Sequence, residues 1–245
     1  MNTQDDSKLV SRRGNGRGAQ DAMKTNMPLF PLETVLFPGM VMPLHIFEPR
    51  YLKMVDDCLD NQCQFGVVLI EEGRETGSHA KPHTVGTAAR ISRVNRLPDG
   101  RMDLTIAGTH RFRIQELDHS RPVLSGSTCA FPMINASTRL AEQMARQVRP
   151  KVLEYVELLS DASNTRLRLD RLPDDPKALS ILVAIALQIS NAEKQRLLEM
   201  PGVPEILDRE RFLLSLETMV IRHMVATQKE VEGMGTGSTG YMFPN

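Results

Sequence analysis

Two periods divide the chain. As far as about residue 133 the apolar positions fall in short runs and alternations, the spacing of strands, and from about residue 137 they recur every three or four residues, the spacing of helices. In the first part QFGVVLIE (64–71) is a compact β-branched run. RLPDGRMDLTI (96–106) sets a Pro-Asp-Gly turn before the alternation Met102, Leu104, Ile106, which predicts a hairpin with one buried face. HRFRIQEL then alternates Phe112 with Ile114, and PVLSGSTCAFPM closes the series. One short helix interrupts these strands: in FEPRYLKMVDDCLD, Pro49 suits a first helical position and Leu52, Val55 and Leu59 follow at helical spacing.

In the second part TRLAEQMARQVRPKVLEYVELL places Leu140, Met144, Val148, Val152, Val156 and Leu159 on one stripe, with Pro150 expected to kink or break the helix. DDPKALSILVAIALQIS is apolar nearly all round and belongs at the centre of a bundle. NAEKQRLLEM is a short third helix ended by Pro201-Gly202, and a last one runs from about Pro204 to Glu230, carrying Leu207, Leu214, Met219 and Val225. Residues 1–26 are polar and without periodicity and read as a disordered arm; residues 231–245 read as a flexible tail. The expected organisation is therefore a β half over 27–133 and a helical half over 137–230, joined near 133–137.

Composition narrows the class. With 245 residues, 41% of them hydrophobic, the chain can bury a sizeable core, and 30 basic residues balance 30 acidic ones, which argues against nucleic acid as the main partner. Three cysteines make no disulfide framework and fit a reducing compartment. No window approaches the roughly 18 apolar residues of a membrane span, and the N-terminus has no apolar signal stretch, so the expectation is a cytoplasmic protein.

One stretch fits neither a helix nor a linker: PLFPLETVLFPGMVMPLHIFEPRY (28–51), with prolines at 28, 31, 38, 43 and 49 among Leu, Phe, Val, Met and Ile. Such prolines can sit only at a strand edge or a turn, and Pro38-Gly39 reads as a turn between two short strands. This string resembles the signature of the Lon N-terminal (substrate-binding) domain. The resemblance continues in VGTAARI (85–91), in the Pro-Asp-Gly hairpin, in GTHRFRI (108–114) and in the helical second half, covering about residues 27–229. It implies an α+β fold: an N-terminal PUA-like, mostly antiparallel β-barrel with one short helix, followed by a C-terminal α-helical bundle. It also implies recognition of protein substrates. No G-x-x-x-x-G-K-[ST] string occurs in these residues, and nothing resembles a protease domain with a Ser-Lys dyad.

Other candidate chemistry is weaker. GTGSTG (235–240) and GNGRGA (14–19) lack the strand–turn–helix setting of a dinucleotide site. His79 and His83 sit in a Gly- and Pro-containing loop and read as exposed rather than metal-binding; Cys58 and Cys63 read as packing residues or exposed thiols. No serine lies in a G-x-S-x-G elbow. His110 and Arg111 are expected to finish a turn. Arg90, Arg93, Arg96, Arg101, Arg111 and Arg113 cluster in the strand region, which keeps RNA binding as a rival, although Phe112 is the one aromatic among them. The favoured expectation is a non-catalytic module without cofactor or metal. It would bind unfolded or signal-bearing polypeptides, with a protease or chaperone as a further partner, through a groove near 38–51. Met40, Met42, His45, Phe47 and Tyr51 are the groove candidates, and flexible methionines would let it accept varied peptides. RNA binding and a hydrolase with an unrecognised site are the alternatives.

Overall fold

The structure is a computed structural model that describes residues 25–73, 80–163 and 171–235. Residues 1–24, His79 and 236–245, which include GNGRGA and most of GTGSTG, lie outside the described residues. The strands are β1 (Thr25–Leu32), β2 (Val41–Ile46), β3 (Phe65–Glu72), β4 (Lys81–Pro82), β5 (Val85–Arg96), β6 (Met102–Asp118) and β7 (Ser125–Ala130). Helix α1 (Pro49–Asp60) lies between β2 and β3. After β7 come α2 (Arg139–Ser163), α3 (Pro176–Ala186), α4 (Asn191–Glu199) and α5 (Val203–Gly235).

The sheet is mostly antiparallel. Pairings run β1–β7–β6–β5–β3, and a parallel contact between β1 and β3 leads back to the starting strand; β2 adds to β6, and β4 to β3. Met102, Leu104 and Ile106 are buried, as their alternation predicts, and pack with Phe30, Phe65 and Val67 beneath α1. A second set of strand side chains, including Leu29, Val68, Phe112 and Ile114, packs separately. Gly66 and Gly86 make room for the Phe112 ring there: a Cβ on either would come within 2.9 Å of its Cζ atom or closer.

α1 begins at Pro49 as expected, but its buried stripe is Tyr51, Met54, Val55 and Cys58, leaving Leu52 and Leu59 half-buried. Similarly, α2 buries Ala141, Ala145, Val148, Val152 and Tyr155, while Leu140 faces solvent. α2 packs along α5. α2 also runs unbroken through Pro150, which is exposed; the solvent side is where a missing N–H is tolerated. Asp175 caps α3 by accepting from the Ala178 N–H, and Pro176 follows.

Sheet and helices share one core. Val35, Phe37, Leu69 and Val85 from the strand region pack among Val148, Leu179, Leu197 and Ile206. Polar stitches reinforce the seam. Gln195 donates to the Val85 carbonyl at 2.9 Å, and His83 meets Glu199 at 3.2 Å. Arg111 finishes no turn: it lies within β6, buried, and donates from Nη1 to the carbonyls of Leu198 (2.8 Å) and Met200 (2.7 Å) and from Nε to that of Phe131 (3.2 Å).

Candidate binding groove

The proline-rich stretch builds an edge strand. β2 pairs along one side only, from Val41↔Ala107 to Ile46↔Met102 of β6. Just before it, Gly39 donates to the Gly108 carbonyl (2.8 Å) and Gly108 to the Met40 carbonyl (2.9 Å), so the backbone groups of Gly108 face this side of β6. Strand backbone groups alternate in direction, so Met42, Leu44 and Ile46 engage β6, and Val41, Pro43 and His45 turn their backbone groups the other way. Among the described strands, none pairs with that outer edge. Pro43 has no N–H to leave unsatisfied there, which is how a proline fits a strand.

Beside this strand a groove of about 440 Å³ opens. One wall is Phe30, Pro31, Leu32 and Thr34, from the end of β1 onward; the other is formed by residues 42–48 with Tyr51 of α1. Of the five expected groove residues, Met42, His45, Phe47 and Tyr51 line it. Met40 does not; it is half-buried and packs against both large apolar clusters. Phe47 is 53% exposed, whereas Tyr51 is only 5% exposed. The tyrosine ring stands edge-on to Phe30 with centroids 4.4 Å apart, and the Arg50 guanidinium lies 4.5 Å from its centre. Tyr51 is thus a core residue whose surface reaches the groove. The wall from β1 is missing from the sequence expectation, although Phe30 and Leu32 share one face of their strand.

The polar rim is paired within itself. His45 Nδ1 lies 2.7 Å from Asp103 Oδ1, and its Nε2 lies 3.4 Å from an Arg101 nitrogen. Arg101 also bonds Asp99, and this contact holds the Asp99 carboxyl below the usual carboxylate range. A histidine–aspartate pair resembles part of a hydrolytic triad, but a guanidinium, not a hydroxyl, occupies the position a nucleophile would need.

The arginine cluster disperses on folding. Arg96 pairs with Asp56, Arg101 with Asp99, Arg111 is buried and Arg113 stacks on Phe131 at 4.4 Å. Arg90 and Arg93 remain exposed, too small a set for a phosphate-tracking stripe. His110 is exposed and meets Thr109. Among the described residues no group of three or more His, Cys, Asp or Glu side chains converges as a metal site would, and no helix is long and apolar enough to cross a membrane.

Among the described residues, then, a mostly antiparallel sheet is joined to five helices and carries a groove whose polar rim is internally paired. The chain belongs to the family of the ATP-dependent protease La (LON) substrate-binding domain, whose model matches residues 26–215. A Lon N-terminal domain protein from Xanthomonas campestris has the same fold, with a TM-score of 0.55 at 28% identity over 76% of this chain and 96% of that one. The N-terminal domain of a Mycobacterium avium complex Lon protease superposes with a TM-score of 0.60 at 21% identity, covering 78% of this chain and 98% of that one. Lon protease 2 of Myxococcus xanthus is 28% identical over 218 residues, which are 83% of this chain and 26% of that protein. Lon protease of Bacillus thuringiensis is 27% identical over 229 residues, 87% of this chain and 29% of its own length. The chain therefore spans little more than a quarter of the length of these two curated relatives.

Proposed function

We propose that the chain is a non-catalytic protein-binding module that captures extended, apolar polypeptide segments, unfolded or bearing degradation signals, along the outer edge of β2. The observation that carries this reading is the coincidence of an unpaired strand edge with an apolar groove. A segment laid against Val41, Pro43 and His45 gains main-chain hydrogen bonds, and its alternate side chains enter the space between Leu32 and Phe47. The strand pairings that return to β1 support reading the β half as a PUA-like barrel that holds this edge rigid. Such a module works as an adaptor in proteolysis, presenting bound segments to a protease or chaperone, and the cytoplasm is its setting.

The test is binding of a reduced, alkylated unfolded protein, followed by fluorescence anisotropy with wild type and Phe47→Ala. Removing a central aromatic anchor is expected to weaken binding by about 1–2 kcal/mol, or roughly five- to thirtyfold. Affinity should change little between about 50 and about 200 mM salt, whereas phosphate-driven RNA binding would fall steeply over that range. Unchanged affinity in Phe47→Ala, or a steep salt dependence, would overturn the reading. Purified chain should also leave the unfolded protein intact in the presence of ATP.

A further inference from the structure

α1 ends in a turn that brings two cysteines together. Gln62 takes the left-handed conformation with φ 50°, its N–H reaches the Leu59 carbonyl at 3.3 Å, and the Cys63 N–H returns to the Cys58 carbonyl at 3.0 Å. This pair of bonds is the Schellman motif, in which the residue closing the outer bond and the residue accepting it set their side chains against each other. In most helices that contact is apolar. Here both side chains are thiols. The direct bond between the two backbones makes the residues close neighbours, and a disulfide needs Cα atoms about 4.4–6.8 Å apart.

The two thiols differ in access. Cys58 is buried on the inner face of α1, while Cys63 is exposed at the mouth of a cleft of about 610 Å³ bordered by Arg50, Lys53 and Arg121. Burial first, then the hydrogen bond and charge of Cys63, pushes the Cys58 thiol up to about 12. It therefore rests protonated. Cys129, the third cysteine, lies on β7.

We propose that Cys58 and Cys63 form a reversible dithiol–disulfide site in which the exposed Cys63 is oxidised by a hydroperoxide and the buried Cys58 resolves it. In the first step the Cys63 thiolate attacks the distal peroxide oxygen, the O–O bond breaks, and Cys63 becomes a sulfenic acid with release of an alcohol or water. In the second, the Cys58 sulfur attacks the Cys63 sulfur, the S–O bond breaks, and water leaves. Two thiols and one hydroperoxide thus give one disulfide, one alcohol and one water, and an external dithiol reverses the change. In a reducing compartment such a bond is transient and reports oxidant. The site is independent of the peptide groove.

The experiment treats the full chain with hydrogen peroxide, denatures it and counts thiols. Two of the three should disappear, the tryptic peptide covering residues 54–74 should be lighter by two hydrogen masses, and dithiothreitol should restore both. Cys58→Ser should instead leave Cys63 as a sulfenic acid that dimedone traps. Cys63→Ser, which changes only an exposed side chain, should form no bond. Retention of all three thiols, a link to Cys129, or a link between chains would overturn the proposal. So would over-oxidation of Cys63 in the wild-type chain without a bond to Cys58.

Discussion

Tyr51 and Phe47, four residues apart on the same groove, have opposite roles. Tyr51 sits on the α1 stripe that faces the sheet and packs edge-on to Phe30, while Phe47 precedes the helix and stays exposed. Tyr51→Ala should lower stability by about 3–5 kcal/mol in chemical denaturation, the range for a large buried ring, whereas Phe47→Ala should stay within about 0.5 kcal/mol. Equal stability of the two variants would contradict this division. Sequence alone leaves it open, because Leu52–Val55–Leu59 and Tyr51–Val55–Cys58 are both valid helical stripes sharing Val55. What decides between them is the partner surface of Phe30 and Phe65, which no local pattern contains. A second residue, Glu210, is fully buried on α5 with neither carboxylate oxygen hydrogen-bonded, and burial alone holds its carboxyl well above the usual glutamate value of 4.5. The native state then keeps a proton that the unfolded state has lost. Its stability is fullest below pH 4.5 as far as this group is concerned, and declines as pH rises from there through the raised folded value. Glu210→Gln should therefore raise the thermal midpoint more at about pH 8 than at about pH 5. Parallel shifts at both would mean that Glu210 carries no such burden.

At the scale of elements, the period of the pattern was readable and the joints were not. The alternation through Met102, Leu104 and Ile106 and that through Phe112 and Ile114 suggest two strands; they are the two ends of one, β6, whose 17 residues serve β2 at one end and β7 at the other. The crossing point is Gly108. A Cβ there would lie 2.2 Å from the Phe37 carbonyl oxygen, and that backbone oxygen cannot swing aside as a flexible side chain could. Gly108→Ala should thus cost about 1–3 kcal/mol and loosen the Gly39–Gly108 contact that starts β2, weakening peptide binding alongside stability. Wild-type stability in that variant would show the approach to be slack. At Pro150, where a kink or a break was expected, α2 continues without a break, since a proline on the exposed side removes a bond that water can replace. Half of the groove was legible because Met42, His45 and Phe47 fall in the 38–51 part of the proline-punctuated stretch, where the groove was expected. The other half comes from β1, brought there by pairing with β3, a long-range contact with no local signature.

For the whole molecule the question is whether the change of period near residues 133–137 is also a physical boundary. The packing argues that it is not one at which the chain can be cut. Phe37, Leu69 and Val85 belong to the same cluster as Leu179, Leu197 and Ile206, so a β half alone would expose large side chains that the folded chain keeps dry. It would also strand Arg111. That guanidinium is buried without a carboxylate, its charge offset by three carbonyls, two of them from the end of α4, and burial together with the neighbouring Arg113 lowers it to about 10. Replacing it by methionine removes a costly buried charge but leaves those carbonyls without donors. Because each unsatisfied buried acceptor costs about 1–3 kcal/mol and three are affected, the loss should outweigh the relief, with a net destabilisation of about 1–3 kcal/mol. Arg111→Lys, which keeps the charge but loses the fork that reaches several carbonyls at once, should fall between wild type and Arg111→Met. The same seam predicts that residues 25–133 expressed alone give no sharp unfolding transition, while residues 25–235 give one, recorded by both near-ultraviolet and far-ultraviolet circular dichroism. A cooperative transition in the short fragment, with Arg111→Met harmless in the long one, would make the two halves separate domains. Coincident loss of both signals in the long chain, shifted down by Arg111→Met, would make the seam a core.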